Sequence, residues 1–390
     1  MKNKLLLFSF LWLICYRTLE AQNLDGLQIG ENSIEYISDN YLSFVKKMKS
    51  LQKGDISKVR ILHFGDSHIQ PNNLSGIVRK NLQIAYGNGG RGIVFPYSLA
   101  KTNGPKDFSA SSSVKWDNNW INHSQKKFSI GLPGIAIKSD SSNGSLKINL
   151  RTDSSNYPYS KGFVVYSMEN GKNGSILVNR QFEKKYKQQS FDTLQFSYSN
   201  LRDTLNLEFK NSTLTLHNFY FENNQKGIIY NSVGVAGAFY KDYLKNPLFG
   251  EQLTLYNLDL LIVSLGTNES TFSKYSETMF ANDLDAMFLL IKQNLPHTSV
   301  IITTPSENYF LRKNSTINND RVLFVNRILR EKCQEYGFAL WDLYKVMGGN
   351  GGMLRWKEAG LVNKDCIHYL KKGYQLQGKL LFEAIEKSLK

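Results

Sequence analysis

The chain has 390 residues, of which 41% are hydrophobic and 21% charged. This composition supplies a sizeable core and excludes a disordered protein. The formal net charge of +15 comes mainly from lysines scattered along the sequence, which favours polyanionic surroundings without a dedicated basic site. No zinc-finger, RNP or basic-helix signature is present, so we expect no nucleic-acid partner. The length favours two domains or one domain with a large insertion.

The N-terminus has the pattern of a secretory signal peptide. Lys2 and Lys4 precede an apolar run that ends at Cys15, and the small residue Ala21 follows. We therefore expect residues 1–22 to be a signal peptide and the protein to be exported. The apolar run is too short to span a bilayer comfortably, and no later stretch reaches the ~20 apolar residues that a spanning helix needs, so no transmembrane segment is expected.

The cysteines predict neither disulfides nor a metal site. Residues 13–15 faintly resemble a lipoprotein box, although Ile14 stands where a small residue is usual, so lipidation of Cys15 stays open as the lesser alternative. The remaining Cys333 and Cys366 do not make a disulfide framework. No Cys/His cluster has the spacing of metal ligands, and we expect no metal and no other cofactor.

The first predicted elements form a strand–turn–helix unit. Apolar residues at helical spacing predict a helix over 34–51, and an apolar run predicts a strand over 59–64. A second helical pattern covers 74–85 and is closed by Gly87, as a C-terminal glycine would close it. The glycine-rich segment 87–92 lacks the ending of a phosphate loop and is predicted to be a flexible wall of a cleft.

The composition changes between residues 98 and 227, where helical periodicity vanishes and Ser, Asn and Gly separate short alternating runs. Leu214 and Leu216, for example, alternate with Thr215 and His217. Several short strands with turn signals between them are typical of a β-sandwich. The predicted strands are 145–150, 162–167, 194–198, 204–209 and 213–221.

After residue 227 apolar strands alternate with amphipathic helices. This alternation predicts a parallel sheet with helices on both sides, and hence an α/β domain that the β-rich segment interrupts. The predicted strands are 260–265, 300–303 and 338–343, and the predicted helices are 276–294, 319–336 and 373–389.

Four short segments of the α/β part carry residues suited to chemistry. They are GDS at 65–67, NSVGVAGA at 231–238, SLGTNE at 264–269 and DCIH at 365–368. Ligands of an open parallel sheet bind beyond the carboxyl ends of its strands. Ser67 and Asn268 directly follow two predicted strands, so we expect them to face one cleft.

These residues supply the parts of an acyl-transfer site. Ser67 needs a base to take its proton, and His368 is suited to that task near neutral pH. Asp365 precedes His368 by three residues and can fix its tautomer. The oxyanion of the tetrahedral intermediate needs donors, which the backbone N–H of Ser67, the N–H of a glycine and the amide of Asn268 would supply. Ser67 as a mere helix N-cap is the plain structural alternative.

In order and spacing, the four segments resemble the sequence blocks of the SGNH, or GDSL, hydrolase superfamily. The resemblance implies a flavodoxin-like three-layer α/β sandwich with a parallel sheet. It makes Ser67 the nucleophile, Asp365 and His368 its partners, and Gly237 and Asn268 oxyanion donors together with the N–H of Ser67. Ala236 departs from the polar residue often found before the block-two glycine, which leaves Gly234 open as an alternative to Gly237.

A narrower resemblance concerns the segment between blocks one and two. An inserted β-sandwich, with GDSH at 65–68 and G-x-x-G-A at 234–238, is similar to peptidoglycan O-acetylesterases, whose insert looks like a carbohydrate-binding module. It implies a hydrolase domain in two parts, 23–97 and 228–390, around a jelly-roll-like insert, 98–227. Glu269 departs from the superfamily's usual Asp without touching the role of Asn268.

The expected function is therefore that of a monomeric serine esterase in the periplasm or outside a bacterial cell, removing O-acetyl groups from a glycan, with peptidoglycan favoured. An O-acyltransferase with the same triad and an inactive glycan-binding protein are the alternatives. Asp66 is expected to hold the turn, and His68 to make a local hydrogen bond or line the cleft. Aromatic residues of the insert are candidates for stacking on sugar rings or for core packing. They are Trp116, Trp120, Tyr157 and Tyr159.

Overall fold

The computed structural model describes residues 29–153, 155–169, 173–312 and 315–390. The expected signal peptide and Cys15 lie outside these residues. Within the described ranges, no helix combines the length and the apolar character needed to cross a membrane.

The strands are short and numerous before residue 235 and alternate with helices after it. They are β1 (Ile34–Glu35), β2 (Lys58–Gly65), β3 (Asn88–Gly90), β4 (Gly92–Val94), β5 (Ser109–Ser112), β6 (Trp116–Trp120), β7 (Ile135–Ser139), β8 (Gly144–Asn149), β9 (Arg151–Thr152), β10 (Ser155–Asn156), β11 (Tyr159–Glu169), β12 (Ser175–Val178), β13 (Phe182–Lys185), β14 (Asp192–Arg202), β15 (Thr204–Lys210), β16 (Thr213–Glu222), β17 (Gly227–Gly234), β18 (Leu260–Ser264), β19 (Ser299–Thr303), β20 (Tyr309–Arg312), β21 (Ser315–Asn318) and β22 (Ala339–Trp341).

The helices include the long ones that the sequence pattern predicts, together with several short ones. They are α1 (Asp39–Lys53), α2 (Ser75–Tyr86), α3 (Tyr240–Leu244), α4 (Phe249–Leu253), α5 (Thr267–Thr271), α6 (Glu277–Asn294), α7 (Arg321–Tyr336), α8 (Leu343–Val346), α9 (Gly352–Glu358) and α10 (Lys371–Ser388), with a 3₁₀ turn at Thr254–Tyr256.

A seven-stranded sheet with the order β1-β22-β19-β18-β2-β17-β3 forms the centre of the molecule. Its pairs are parallel except for β1 on β22, so the sheet is mixed. Buried residues of α1, α2 and α10, such as Phe44 and Leu381, pack on one face. Those of α6 and α7, such as Phe280 and Leu329, pack on the other. The expected three-layer α/β arrangement is confirmed, with the antiparallel β1 as an addition to the expected parallel sheet.

Two large antiparallel sheets and a small one, formed by β9 and β10, lie in the chain between β3 and β17. One has the order β14-β11-β16-β7-β6 with β4 added on β16, and the other has the order β13-β12-β15-β8-β5. Trp116 of the first sheet contacts Phe209 of the second, with ring centroids 5.9 Å apart. One hydrophobic cluster joins these sheets to the central sheet, since it contains Leu146 and Phe221 as well as Phe64 and Leu261. The boundaries at 98 and 227 stay a prediction.

Packing changes two local expectations. Ile34 belongs to a strand rather than to the first helix, which begins at Asp39. The glycine-rich segment is not a flexible cleft wall. Its Asn88 pairs with Ile228 at the amino end of β17, whereas the candidate cleft lies at the carboxyl end of that strand. His217, in β16, is buried, and its Nδ1 meets the Gln252 amide of α4 at 2.8 Å.

Candidate active site

Three neighbouring strands end together at the candidate nucleophile. Gly65 closes β2 and aligns with Gly234 of β17 on one side and with Ser264 of β18 on the other. A Cβ at position 65 would lie 2.4 Å from the Ser264 carbonyl oxygen, so only glycine allows this close approach. Ser67 therefore emerges at the carboxyl edge of the sheet, where an open α/β fold binds ligands.

Ser67, His368 and Asp365 are brought together as a hydrogen-bonded chain. Ser67 Oγ lies 2.9 Å from His368 Nε2, and His368 Nδ1 lies 2.8 Å from Asp365 Oδ2. The other carboxylate oxygen of Asp365 accepts the backbone N–H groups of Ile367 and His368, at 3.0 and 2.9 Å. The three side chains thus lie in the order in which acyl transfer uses a nucleophile, a base and a carboxylate.

The electrostatics of the triad keep Asp365 ionised. Partial burial acts to raise its pKa, but hydrogen bonds from the backbone of His368 and Ile367 and from the His368 imidazole outweigh it and hold the pKa below its ordinary value. The carboxylate can therefore stabilise the imidazolium that forms when His368 takes a proton.

The candidate oxyanion donors are the backbone N–H groups of Ser67 and Gly237 and the side-chain amide of Asn268. Gly237 has a φ of +77°, and among the described residues its backbone N–H and that of Ser67 have no acceptor. Asn268, at the start of α5, donates from Nδ2 to the Ala238 carbonyl at 2.9 Å. Gly234, the alternative glycine, ends strand β17, and a Cβ there would lie 2.5 Å from the Gln70 backbone nitrogen. Gly237 is therefore the more open of the two glycines.

Asp66 is buried directly behind the nucleophile. Its Oδ1 accepts the backbone N–H of His68 at 2.9 Å, and its Oδ2 lies 3.5 Å from Asn268 Nδ2. Burial raises the pKa of Asp66 to about 7. The expected role in holding the turn fits these contacts.

His68 packs on the imidazole of His368, which the sequence did not indicate. Its ring lies nearly parallel to that of His368, with centroids 5.1 Å apart, and its Nδ1 meets the Tyr374 hydroxyl at 3.0 Å. Burial, assisted by the neighbouring His368, lowers the pKa of His68 to about 3. The ring is therefore neutral at physiological pH and can hold the His368 ring in place without adding charge.

Two further polar residues escaped the sequence reasoning. Gln70 accepts the Ala236 N–H at 2.7 Å and donates to the Asn103 carbonyl at 2.7 Å, so it joins the turn before Gly237 to the segment that leads into the antiparallel sheets. Asn122 donates to the Ala236 carbonyl at 2.9 Å from the other side. The position of Gln70 three residues after Ser67 was a usable signal, whereas no sequence pattern marks Asn122.

The insert aromatics fall into two groups. Trp116 and Tyr159 are buried and belong to the core, which rules them out as exposed stacking platforms. Trp120 and Tyr157 are half-buried. The Arg91 guanidinium lies 5.9 Å from the centre of the Tyr157 ring.

A groove of about 840 Å³ lies away from the candidate triad. It runs along α7 between Gly30 and Gly348, and no residue of the candidate triad lines it. Among the described residues, no group of three or more His, Cys, Asp or Glu side chains is arranged to hold a metal ion.

Comparisons with known proteins agree with this geometry. The model of the GDSL-like lipase/acylhydrolase family matches residues 216–376, which contain Gly237, Asn268, Asp365 and His368 but not Ser67. No curated protein matches the chain.

Among solved structures, "Peptidoglycan O-acetylesterase in action, 5 min" aligns over 89% of this chain and 96% of its own, with 22% identity and a TM-score of 0.76. A lipase/acylhydrolase from Enterococcus faecalis aligns over 42% and 79%, with 20% identity and a TM-score of 0.34. A family two carbohydrate esterase from Cellvibrio japonicus aligns over 72% and 98%, with 11% identity and a TM-score of 0.29.

The family match and the fold together show which class of protein this chain is similar to. Residues 216–376 match the GDSL-like lipase/acylhydrolase family, and the α/β fold resembles that of an ester hydrolase. More particularly, its fold is similar to that of a peptidoglycan O-acetylesterase over nearly the whole chain, and the resemblance expected from the sequence is confirmed.

Proposed function

We propose that this protein is an exported serine esterase that removes O-acetyl groups from a glycan, with peptidoglycan as the first candidate. The observation that carries the proposal is the hydrogen-bonded chain from Ser67 through His368 to Asp365 at the carboxyl edge of the sheet. The glycan part is supported by the similarity in fold to a peptidoglycan O-acetylesterase and by the net charge of +15.

In the acylation half of the reaction, His368 Nε2 takes the proton of Ser67 while Oγ attacks the acetyl carbonyl carbon. The negative charge on the carbonyl oxygen is stabilised by the N–H groups of Ser67 and Gly237 and the amide of Asn268. When the intermediate collapses, His368 gives its proton to the sugar oxygen. The sugar leaves with a free hydroxyl group, and the acetyl group remains on Ser67.

In the deacylation half, His368 activates a water molecule that attacks the acetyl-serine. Acetate then leaves, and Ser67 recovers its proton from His368. The side chains of His368 and Asp365 are 38% and 42% exposed, so water has access to the base. This exposure favours hydrolysis over transfer of the acyl group to a second sugar, for which water must be kept out.

The inserted β-rich segment, about 98–227, is proposed to be a jelly-roll-like carbohydrate-binding domain that holds the polymer. Its sheets share a hydrophobic cluster with the catalytic part, and Gln70 and Asn122 join the segment to the turn that carries Gly237. A polymer bound there would be presented to Ser67 directly.

Purified protein should release acetate from O-acetylated peptidoglycan, and acetylated xylan tests the competing polysaccharide class. The Ser67→Ala protein is the matched control. Acetate release from xylan alone would move the substrate away from peptidoglycan. Acetyl transfer to an added sugar, without free acetate, would contradict the esterase and support the transferase. Absence of turnover on every ester would support an inactive glycan-binding protein.

A further inference from the structure

A loop of the inserted segment reaches the turn that carries the proposed oxyanion donor. Asn122 donates to the Ala236 carbonyl at 2.9 Å, and a Cβ on Gly237 would lie 3.3 Å from Asn122 Nδ2. The loop begins at Trp120, the last residue of β6. A substrate whose acyl group meets the N–H of Gly237 must therefore pass close to this loop.

The Trp120 side chain is held in place before any ligand arrives. Its Nε1 donates to Asn118 Oδ1 at 2.9 Å, and Asn118 Nδ2 donates in turn to the Ala100 carbonyl at 3.2 Å. The Lys126 ammonium donates to the carbonyls of Trp120 and His123, at 2.9 and 2.6 Å, which closes the loop on itself. Because these groups are already ordered, binding costs little conformational entropy.

The surface of this loop combines aromatic rings with one free amide oxygen. The His123 ring lies nearly parallel to the Trp120 indole, with centroids 6.0 Å apart, and His123 is exposed while Trp120 is half-buried. Asn122 is exposed, and its Oδ1 accepts no hydrogen bond from the described residues. Aromatic faces attract polarised C–H groups, and an amide can bind hydroxyl groups, so the combination suits a pyranose ring.

The other aromatic candidates of the insert do not offer such a surface. Trp116 and Tyr159 are buried, and Arg91 lies against the Tyr157 ring. Among the four aromatic candidates, Trp120 is therefore the one that is partly exposed and whose own loop contacts the turn that carries Gly237.

We propose that Trp120, Asn122 and His123 form the subsite for the sugar ring that carries the acetyl ester. We call these three residues the Trp120 face. This proposal rests on the proposed function and deepens it, because it makes the insert part of the catalytic cleft rather than only a remote holder of polymer. The ligand class is a mono-acylated pyranoside, and a single sugar unit is enough to reach the face.

The test compares a mono-O-acetylated methyl glucopyranoside with 4-nitrophenyl acetate, which has no sugar ring. We expect Trp120→Ala to lower the ratio of kcat/KM for the glycoside to that for the aryl ester by about tenfold, since an aromatic contact of this kind contributes roughly that factor. The loss should appear in KM for the glycoside. His123→Ala, which removes an exposed ring without opening the core, should lower the same ratio by about threefold.

Tyr186→Ala is the matched control, since Tyr186 is a half-buried aromatic residue of the same insert that follows β13 in the other sheet. Its ratio should equal that of the wild type. An unchanged ratio for both Trp120→Ala and His123→Ala overturns the Trp120 face while leaving the esterase function intact. A wild-type enzyme that cleaves the aryl acetate but no acetylated sugar overturns the proposed function itself, and the subsite with it.

Discussion

Glu269 is a buried carboxyl group whose charge state should control stability. It lies in α5 with no solvent exposure, and its Oε1 accepts the Tyr240 N–H at 2.7 Å while its Oε2 has no partner among the described residues. Burial, with smaller contributions from Asp66 and Asp242, raises its pKa from the ordinary 4.5 to about 8. The folded protein therefore keeps this carboxyl group protonated at neutral pH.

The sign of the effect follows from proton linkage. Between pH 4.5 and about 8 the folded protein holds a proton that the unfolded chain releases, so the free energy of unfolding falls as the pH rises through this window. Each pH unit corresponds to about 1.4 kcal/mol, which sets an upper limit of about 5 kcal/mol by pH 8. Relaxation around a buried charge reduces such penalties, and we expect about 2–3 kcal/mol to be measurable.

Glu269→Gln removes the titration while keeping an oxygen for the Tyr240 N–H. The new amide N–H replaces Oε2, which has no hydrogen-bond partner among the described residues, and burying it costs about 1–2 kcal/mol at every pH. The diagnostic quantity is therefore the difference in Tm between variant and wild type as a function of pH. We expect this difference to rise in favour of the variant by about 2–4 °C between pH 5 and pH 8.5, and to be flat above that.

Thermal unfolding followed by circular dichroism at several pH values measures this difference. Glu183→Gln, at an exposed glutamate of the insert, is the matched control and should give a flat difference. A flat difference for Glu269→Gln as well would refute the reasoning, because it would mean that Glu269 has the same pKa in the folded and unfolded chains.

Three further predictions concern the reaction. Ser67→Ala should keep the fold and lose roughly six orders of magnitude in turnover. The loss should be nearly as large for His368→Ala and smaller for Asp365→Ala. If Ser67→Ala kept a tenth of the wild-type turnover on an aryl acetate, Ser67 would not be the nucleophile. A chelator should leave the rate unchanged, since backbone and amide N–H donors supply the electrophilic help; a rate that collapses and returns with zinc would point to a metal-dependent deacetylase. Asn268→Ala should lower kcat by ~100-fold with little change in KM, and an effect confined to KM would contradict its role as an oxyanion donor.

The layered core and the position of the candidate triad could be predicted from the sequence. Alternating strands and helices predict the central sheet, because the apolar period of each element reflects which of its faces is buried. Short motifs at strand ends predict Ser67 and Asn268 in one cleft, since the carboxyl ends of parallel strands meet at one edge. Asp365 and His368 are three residues apart, so their mutual contact is local and readable from spacing.

Contacts between residues distant in sequence were decided only by the tertiary structure. Two examples are the stacking of His68 on His368 and the hydrogen bond from Asn122 to the Ala236 carbonyl. Both depend on how separate segments pack, and no local sequence pattern encodes this packing. The same holds for the glycine-rich segment at 88–90, which becomes a buried strand because β17 offers it a free edge.

Residues of the same type also differ in burial, and this difference too depends on the tertiary structure. Trp116 and Trp120 lie four residues apart in one strand, yet Trp116 is buried and Trp120 is half-buried. Glu269 has the same side chain as an exposed glutamate, but in the folded protein this side chain is fully buried. The sequence by itself determined which groups can do chemistry. The tertiary structure decided which of these groups are buried, which have hydrogen-bond partners and which are open to the candidate cleft. Burial and hydrogen bonding depend on neighbours that are distant in the sequence.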